Sequence, residues 1–107
     1  MSATENSIRI ARQTDQTVIT LQGVLDHELA SNLVPLVSKV APPVVFDLRQ
    51  VSYITAAGSR VLLGYYQSFG VKPTLRHANQ SIVELLDLTG TLNYVSLAED
   101  EPAPTAN

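Results

Sequence analysis

The sequence predicts an α/β domain in which two strands are followed by alternating helix and strand, in the order β-β-α-β-α-β-α-β. Three observations carry this. Ile8 and Ile10 alternate, and Thr17–Gly23 is β-branched and apolar, as strands are. Leu29, Leu33, Leu36, Val37 and Val40 recur at helical spacing. Val44–Leu48 is a short continuous apolar run of the kind buried on both faces in a parallel sheet. A chain that opens on two strands and then alternates builds a sheet with helices packed on it.

The individual elements follow in order. Ser7–Gln13 and Thr17–Gly23 are expected as strands, with the polar Thr14-Asp15-Gln16 as the turn between them. Asp26 has the side chain of a helix N-cap, and the helix after it is expected to stop by Pro42-Pro43. Pro35 falls inside that helix, removes one backbone hydrogen bond, and predicts a kink or a later start. After the strand Val44–Leu48, a short connector ends on the hydroxyl of Thr55 and a second helix runs over Gly58–Phe69. At 100° per residue Gly58, Leu62, Tyr65, Tyr66 and Phe69 share one face, and Arg60, Gly64 and Gln67 the other. Gly70 fits a left-handed terminus. Thr74–His77 reads as a strand. Ile82, Leu85, Leu86 and Thr89 line a third helix ended by Gly90 and capped by Asn79 or Ser81. Tyr94–Leu97 is the last strand. Residues 1–6 are expected to be flexible, 7–97 to form one domain, and the acidic, Pro/Ala-rich 98–107 to be disordered.

Composition narrows the function. A chain of 107 residues has room for one core. A formal charge of −3 supplies no broad basic surface for nucleic acid or an anionic membrane. The absence of cysteine excludes thiol catalysis, disulfides and thiolate metal sites. The polar first residues and the lack of any membrane-length apolar run predict a cytoplasmic protein. His27 and His77 stand alone, so no metal is expected, and Ser59 lacks the surroundings of a nucleophile elbow. The glycines form no phosphate-cradling loop, and no cofactor and no enzymatic activity are expected. Gly64 is either a tolerated exposed glycine or a place where another surface comes close.

Three islands carry a resemblance to a known family. They are Leu21-Gln22-Gly23-Val24-Leu25-Asp26, the segment from Val44 to Leu63 containing Asp47-Leu48 and Thr55-Ala56-Ala57-Gly58, and Val83-Glu84-Leu85-Leu86-Asp87-Leu88-Thr89-Gly90. In order and spacing they resemble the STAS domain of bacterial anti-sigma factor antagonists, from about Val18 to Leu97. The resemblance implies a small mixed sheet with helices packed mainly on one face. It also implies a non-enzymatic module that binds an anti-sigma factor of kinase type, or a related switch protein. In that scheme the kinase phosphorylates a Ser or Thr at the start of the second helix, and the added charge breaks the complex. The second partner class the resemblance implies is an ATPase subunit of a membrane lipid transporter.

This chain departs from the pattern at the position that matters. The modifiable residue is replaced by Ala57, and the acidic helix entry by Thr55. Thr55 is read as a plain N-cap rather than a displaced phosphosite, and Ser59 as a solvated or partly packed helix residue. Arg60, where the family commonly has a small residue, is an ordinary exposed charge or a partner contact. Leu63 is an exposed anchor or packs under the third helix. The docking surface is expected around Asp26, His27, Thr55, Ala56, Ala57, Ser59, Arg60, Leu63 and Gln67.

Overall fold

The computed structural model describes residues 7–98. Two strands, β1 (Ser7–Arg12) and β2 (Thr17–Leu25), form an antiparallel hairpin that pairs Ile8 with Leu21 and Ile10 with Ile19. Three further strands, β3 (Val44–Ile54), β4 (Thr74–Arg76) and β5 (Ser96–Leu97), extend the sheet in the order β1-β2-β3-β4-β5, each parallel to its predecessor. The connections carry α1 (His27–Val37), α2 (Ala56–Phe69) and α3 (Gln80–Thr89), with a 3₁₀ turn at Thr91–Tyr94. All three crossovers step the same way along the sheet. Right-handed connections then put every helix on one face. The mixed sheet and the element order are those expected.

Several boundaries differ, each for a physical reason. The strand expected over Val44–Leu48 continues to Ile54, so the supposed connector is strand. Its register against β2 shifts twice, between Thr20 and Gln22 and between Gly23 and Val24. Each shift inserts one extra residue in β3, a β-bulge. Phe46, Leu48, Val51 and Ile54 are therefore all buried despite spacings of two, three and three. A strict period of two misses this strand's second half.

Helix α1 starts where the Asp26 cap puts it, not later, and carries Pro35 in its last turn. It ends at Val37, before Pro42-Pro43 is reached. Leu36, expected on the apolar face, is exposed, and Val40 packs on the core from the following loop. Helix α2 begins at Ala56, two residues early, because Thr55 is its cap. Its buried residues are Gly58, Ser59, Val61, Leu62 and Tyr65, while Tyr66 and Phe69 are half-buried. The helix packs against both α1 and the α3–3₁₀ segment, which widens its covered arc. Tyr66 stacks on Tyr94 at 5.2 Å between ring centroids.

Asn79, not Ser81, caps α3: its Oδ1 accepts from Ile82 N–H at 2.9 Å. Its Nδ2 donates to the Ser52 carbonyl at 3.0 Å, tying α3 to the bulged end of β3. Gly70 (φ 70°) and Gly90 (φ 80°) end α2 and α3 in the left-handed region, as expected. Strand β4 stops at Arg76, because His77 adopts φ 63°. Tyr94 belongs to the 3₁₀ turn, so β5 is shorter than expected. Ala98, assigned to the tail, is tied to the sheet by its N–H donating to Leu75 O at 2.8 Å. The rest of the expected tail and the N-terminal residues 1–6 lie outside the described residues.

Candidate functional site

The start of both long helices is set by one register. Leu25 pairs with Ile54 at the end of the β2–β3 ladder. The next residue on each strand, Asp26 and Thr55, is a helix N-cap in extended conformation. The two helices therefore leave the sheet side by side and run parallel. Asp26 Oδ1 accepts from Leu29 N–H at 3.1 Å, and Thr55 Oγ1 accepts from Gly58 N–H at 3.4 Å.

The two caps are joined through Leu25. Its carbonyl oxygen accepts from Thr55 N–H at 3.0 Å and from the Thr55 hydroxyl at 3.4 Å. Gly58 packs on the same carbonyl: a Cβ there would overlap Leu25 O and come within 2.8 Å of Ile54 Cγ1. Only hydrogen fits. The glycine lets α2 sit directly on the end of β2.

The expected site residues separate into two groups. Asp26, Thr55, Ala57 and Leu63 are half-buried, while His27, Ala56, Arg60 and Gln67 are exposed. Ala57 and Arg60 line one depression with His27 of α1. Ser59, expected in the docking surface as a solvated or partly packed residue, does not belong to the surface. It is 3% exposed, and its hydroxyl donates to Ala56 O at 2.8 Å. Its position at the covered edge of α2, where the buried arc is wider than one apolar stripe, explains the burial.

Residues outside the expected docking set join the group. Ser31 and Val34 of α1 line the same depression, and Gly64 and Ser68 of α2 continue it toward Ser38. The signal available was the run His27, Ser31, Val34, Ser38, a helical stripe of polar residues interrupted by one valine beside the apolar one.

The electrostatics of the two helix starts differ. Helix α1 has Asp26 at its cap and Glu28 in its first turn, whereas α2 has no acidic residue in its first turn. The partial positive charge at the α2 N-terminus is thus not offset by a carboxylate on its own first turn. Among the described residues no three His, Asp or Glu side chains are placed to hold a metal ion. Among them, too, no helix is long and apolar enough to cross a membrane. The second histidine, His77, stands apart from this surface, with its Nε2 2.8 Å from Arg49 Nη2.

This arrangement has the architecture of a STAS domain, and the family model agrees. The STAS domain model matches residues 7–103, and the chain belongs to that family. Solved structures with the same fold include the anti-sigma factor antagonist SpoIIAA in its unphosphorylated form, with TM-score 0.75 and 16% identity over 94% of this chain and 100% of that one. An anti-sigma factor antagonist from Mycobacterium paratuberculosis matches with TM-score 0.73 and 18% identity over 92% and 89% of the two chains. A putative anti-sigma factor antagonist from Thermotoga maritima matches with TM-score 0.75 and 17% identity over 84% of each.

Proposed function

We propose that the chain is a non-enzymatic docking module, an anti-sigma factor antagonist that binds a kinase-type anti-sigma factor or a related switch protein. Docking uses the start of α2 and the neighbouring start of α1, with Asp26, His27, Thr55, Ala56, Ala57, Arg60, Leu63 and Gln67 in contact. It is not controlled by phosphorylation at residue 57. The observation that supports this best is the state of the α2 N-terminus. The residue in the family's modifiable position is the half-buried methyl of Ala57. The neighbouring hydroxyls are committed to structure, Thr55 as the cap and Ser59 in the interior. A helix start with small side chains and no carboxylate in its first turn accepts a closely packed acidic group from a partner.

The test is capture of partner by the parent protein and by Ala57→Glu, with Ser81→Glu on the exposed start of α3 as control. A carboxylate at residue 57 imitates part of a phosphate's charge and fills the space of a closely packed surface. Affinity for a kinase-type partner is expected to fall about tenfold or more with Ala57→Glu and to stay unchanged with Ser81→Glu. Equal binding by all three removes the α2 start from the docking surface. Recovery of a transporter ATPase subunit by the parent moves the chain to the lipid-transport class. Intact mass after incubation with the partner and ATP is expected to show no added phosphate.

A further inference from the structure

Helices α1 and α2 are separated by a groove that runs from the caps to their C-terminal turns. Its α1 wall is His27, Ser31, Val34 and Ser38, one stripe in steps of four, three and four. Its α2 wall is Ala57, Arg60, Gly64 and Ser68, spaced three, four and four. Each wall covers eleven residue steps, about 16 Å or three helical turns. Val34 stands 51% exposed on one side, and the groove floor includes Val61 and Tyr65.

Three properties specify what fits. A Cβ added to Gly64 meets nothing within 4 Å, so the fold itself has no steric need for glycine there. Glycine in a helix interior is unfavourable relative to alanine, and here it leaves α2 backbone open to a close approach. Both walls are helices whose interior backbone groups are paired within the helix, apart from the Ser31 carbonyl, to which Pro35 has no N–H to donate, so they offer an occupant no ladder of hydrogen bonds. The occupant has to satisfy its own backbone, which a helix does and an extended peptide does not. Arg60 supplies the charge. It is exposed and makes no hydrogen bond or ion pair among the described residues, and no Asp or Glu lines the groove.

We infer that the α1–α2 groove seats an amphipathic helix of a partner protein, which presents a carboxylate to Arg60 and small or apolar side chains to Val34 and Gly64. This rests on the docking reading above and extends it from the helix starts along the length of both helices. The groove supplies shape and apolar area, and Arg60 sets the polarity of the ligand.

The test is a titration of ¹⁵N-labelled protein with two stapled peptides about three helical turns long. Both carry the same Leu/Ala pattern and differ only in a central Glu or Lys. The Glu peptide is expected to shift the amides of Ser31, Val34, Arg60, Gly64 and Ser68. It should bind about tenfold more tightly than the Lys peptide, with the preference reversed in Arg60→Glu. Gly64→Leu, which fills the groove from a position with open space, should abolish binding of both. Gly64→Ala keeps the groove open and should retain the Glu preference. Equal affinity for the two peptides, or shifts elsewhere on the molecule, overturns the inference. Groove shifts that depend on protein concentration without peptide overturn it in favour of a second copy of this chain. Failure here is distinguishable from failure of the docking reading: a partner complex weakened by Ala57→Glu but untouched by Gly64→Leu removes the groove and leaves the helix starts.

Discussion

The two halves of α2 carry the same residue type under opposite constraints. Gly58, in the first turn, is buried against the carbonyl of Leu25, where a single added carbon collides with backbone. Gly64, six residues later, faces the α1–α2 groove with nothing near enough to meet a Cβ. The first half is welded to the end of β2 and holds the surface in place. The second half packs through Tyr65 and Tyr66 and leaves the side that carries Gly64 open to the groove. A glycine in a helix therefore has no fixed meaning. Its role depends on what stands opposite, and that is decided by residues far away in the chain.

The largest expected effect breaks this comparison at its tight end. Gly58→Ala should destabilise the domain by about 3 kcal/mol, because backbone rather than a flexible side chain has to move. Urea denaturation measures it, and a loss below about 0.5 kcal/mol would mean that α2 can lift off β2 freely.

The next effect concerns the neighbouring cap. Asp26→Ala removes the acceptor for Leu29 N–H and should cost about 1 kcal/mol. Asp26→Ser retains a good cap and should fold like the parent. Its weaker partner binding, more marked at low salt, would isolate the charge of Asp26 as a contact. Equal affinity of parent and Asp26→Ser at low salt would leave Asp26 as a cap alone.

Tyr65 sharpens the comparison from the buried side of the open half. Its hydroxyl donates to Val40 O at 3.2 Å, and burial raises the phenol's pKa above its ordinary value near 10. Above that ordinary value the unfolded chain loses the proton while the folded protein keeps the neutral, hydrogen-bonded form. The neutral phenol's contribution is therefore fully present below about pH 10 and is lost as pH rises through the folded value. Tyr65→Phe should cost about 1 kcal/mol at pH 7 and flatten the decline above pH 10. Thermal melts of both proteins from pH 7 to 11 check this, and parallel curves would detach Tyr65 from the alkaline transition.

The smallest effect has the opposite sign. Gly64→Ala should stabilise the protein by about 0.5–1 kcal/mol, since it removes backbone freedom from the unfolded chain and meets no neighbour. A destabilised Gly64→Ala would place an unseen neighbour against that wall and close the groove.

Much of the fold was legible because its signals are local. The Asp26 cap, the left-handed glycines and the order of elements each depend on a few consecutive residues. The likeness of three short islands to STAS domains was likewise readable, and the family match agrees with it. The second half of β3 was not legible, because two bulges break its alternation and are defined only against β2. The site was legible in part. The two capping residues, Asp26 and Thr55, follow from local sequence, whereas the burial of Ser59 and the groove beside Arg60 do not.

The sequence by itself determined that Asp26 caps α1, that Thr55 caps the helix that follows it, and that Gly70 and Gly90 end α2 and α3. These are properties of single residues and their near neighbours, so no partner in space is needed to read them. Tertiary structure alone decided that Leu25 and Ile54 end in register, which brings Asp26 and Thr55 side by side. It also decided that Gly58 is indispensable to packing and Gly64 is not. The physical reason is that capping and helical periodicity act over one turn of chain. Register, steric fit and the width of an interhelical groove are set by atoms about thirty residues apart in sequence that folding has placed in contact.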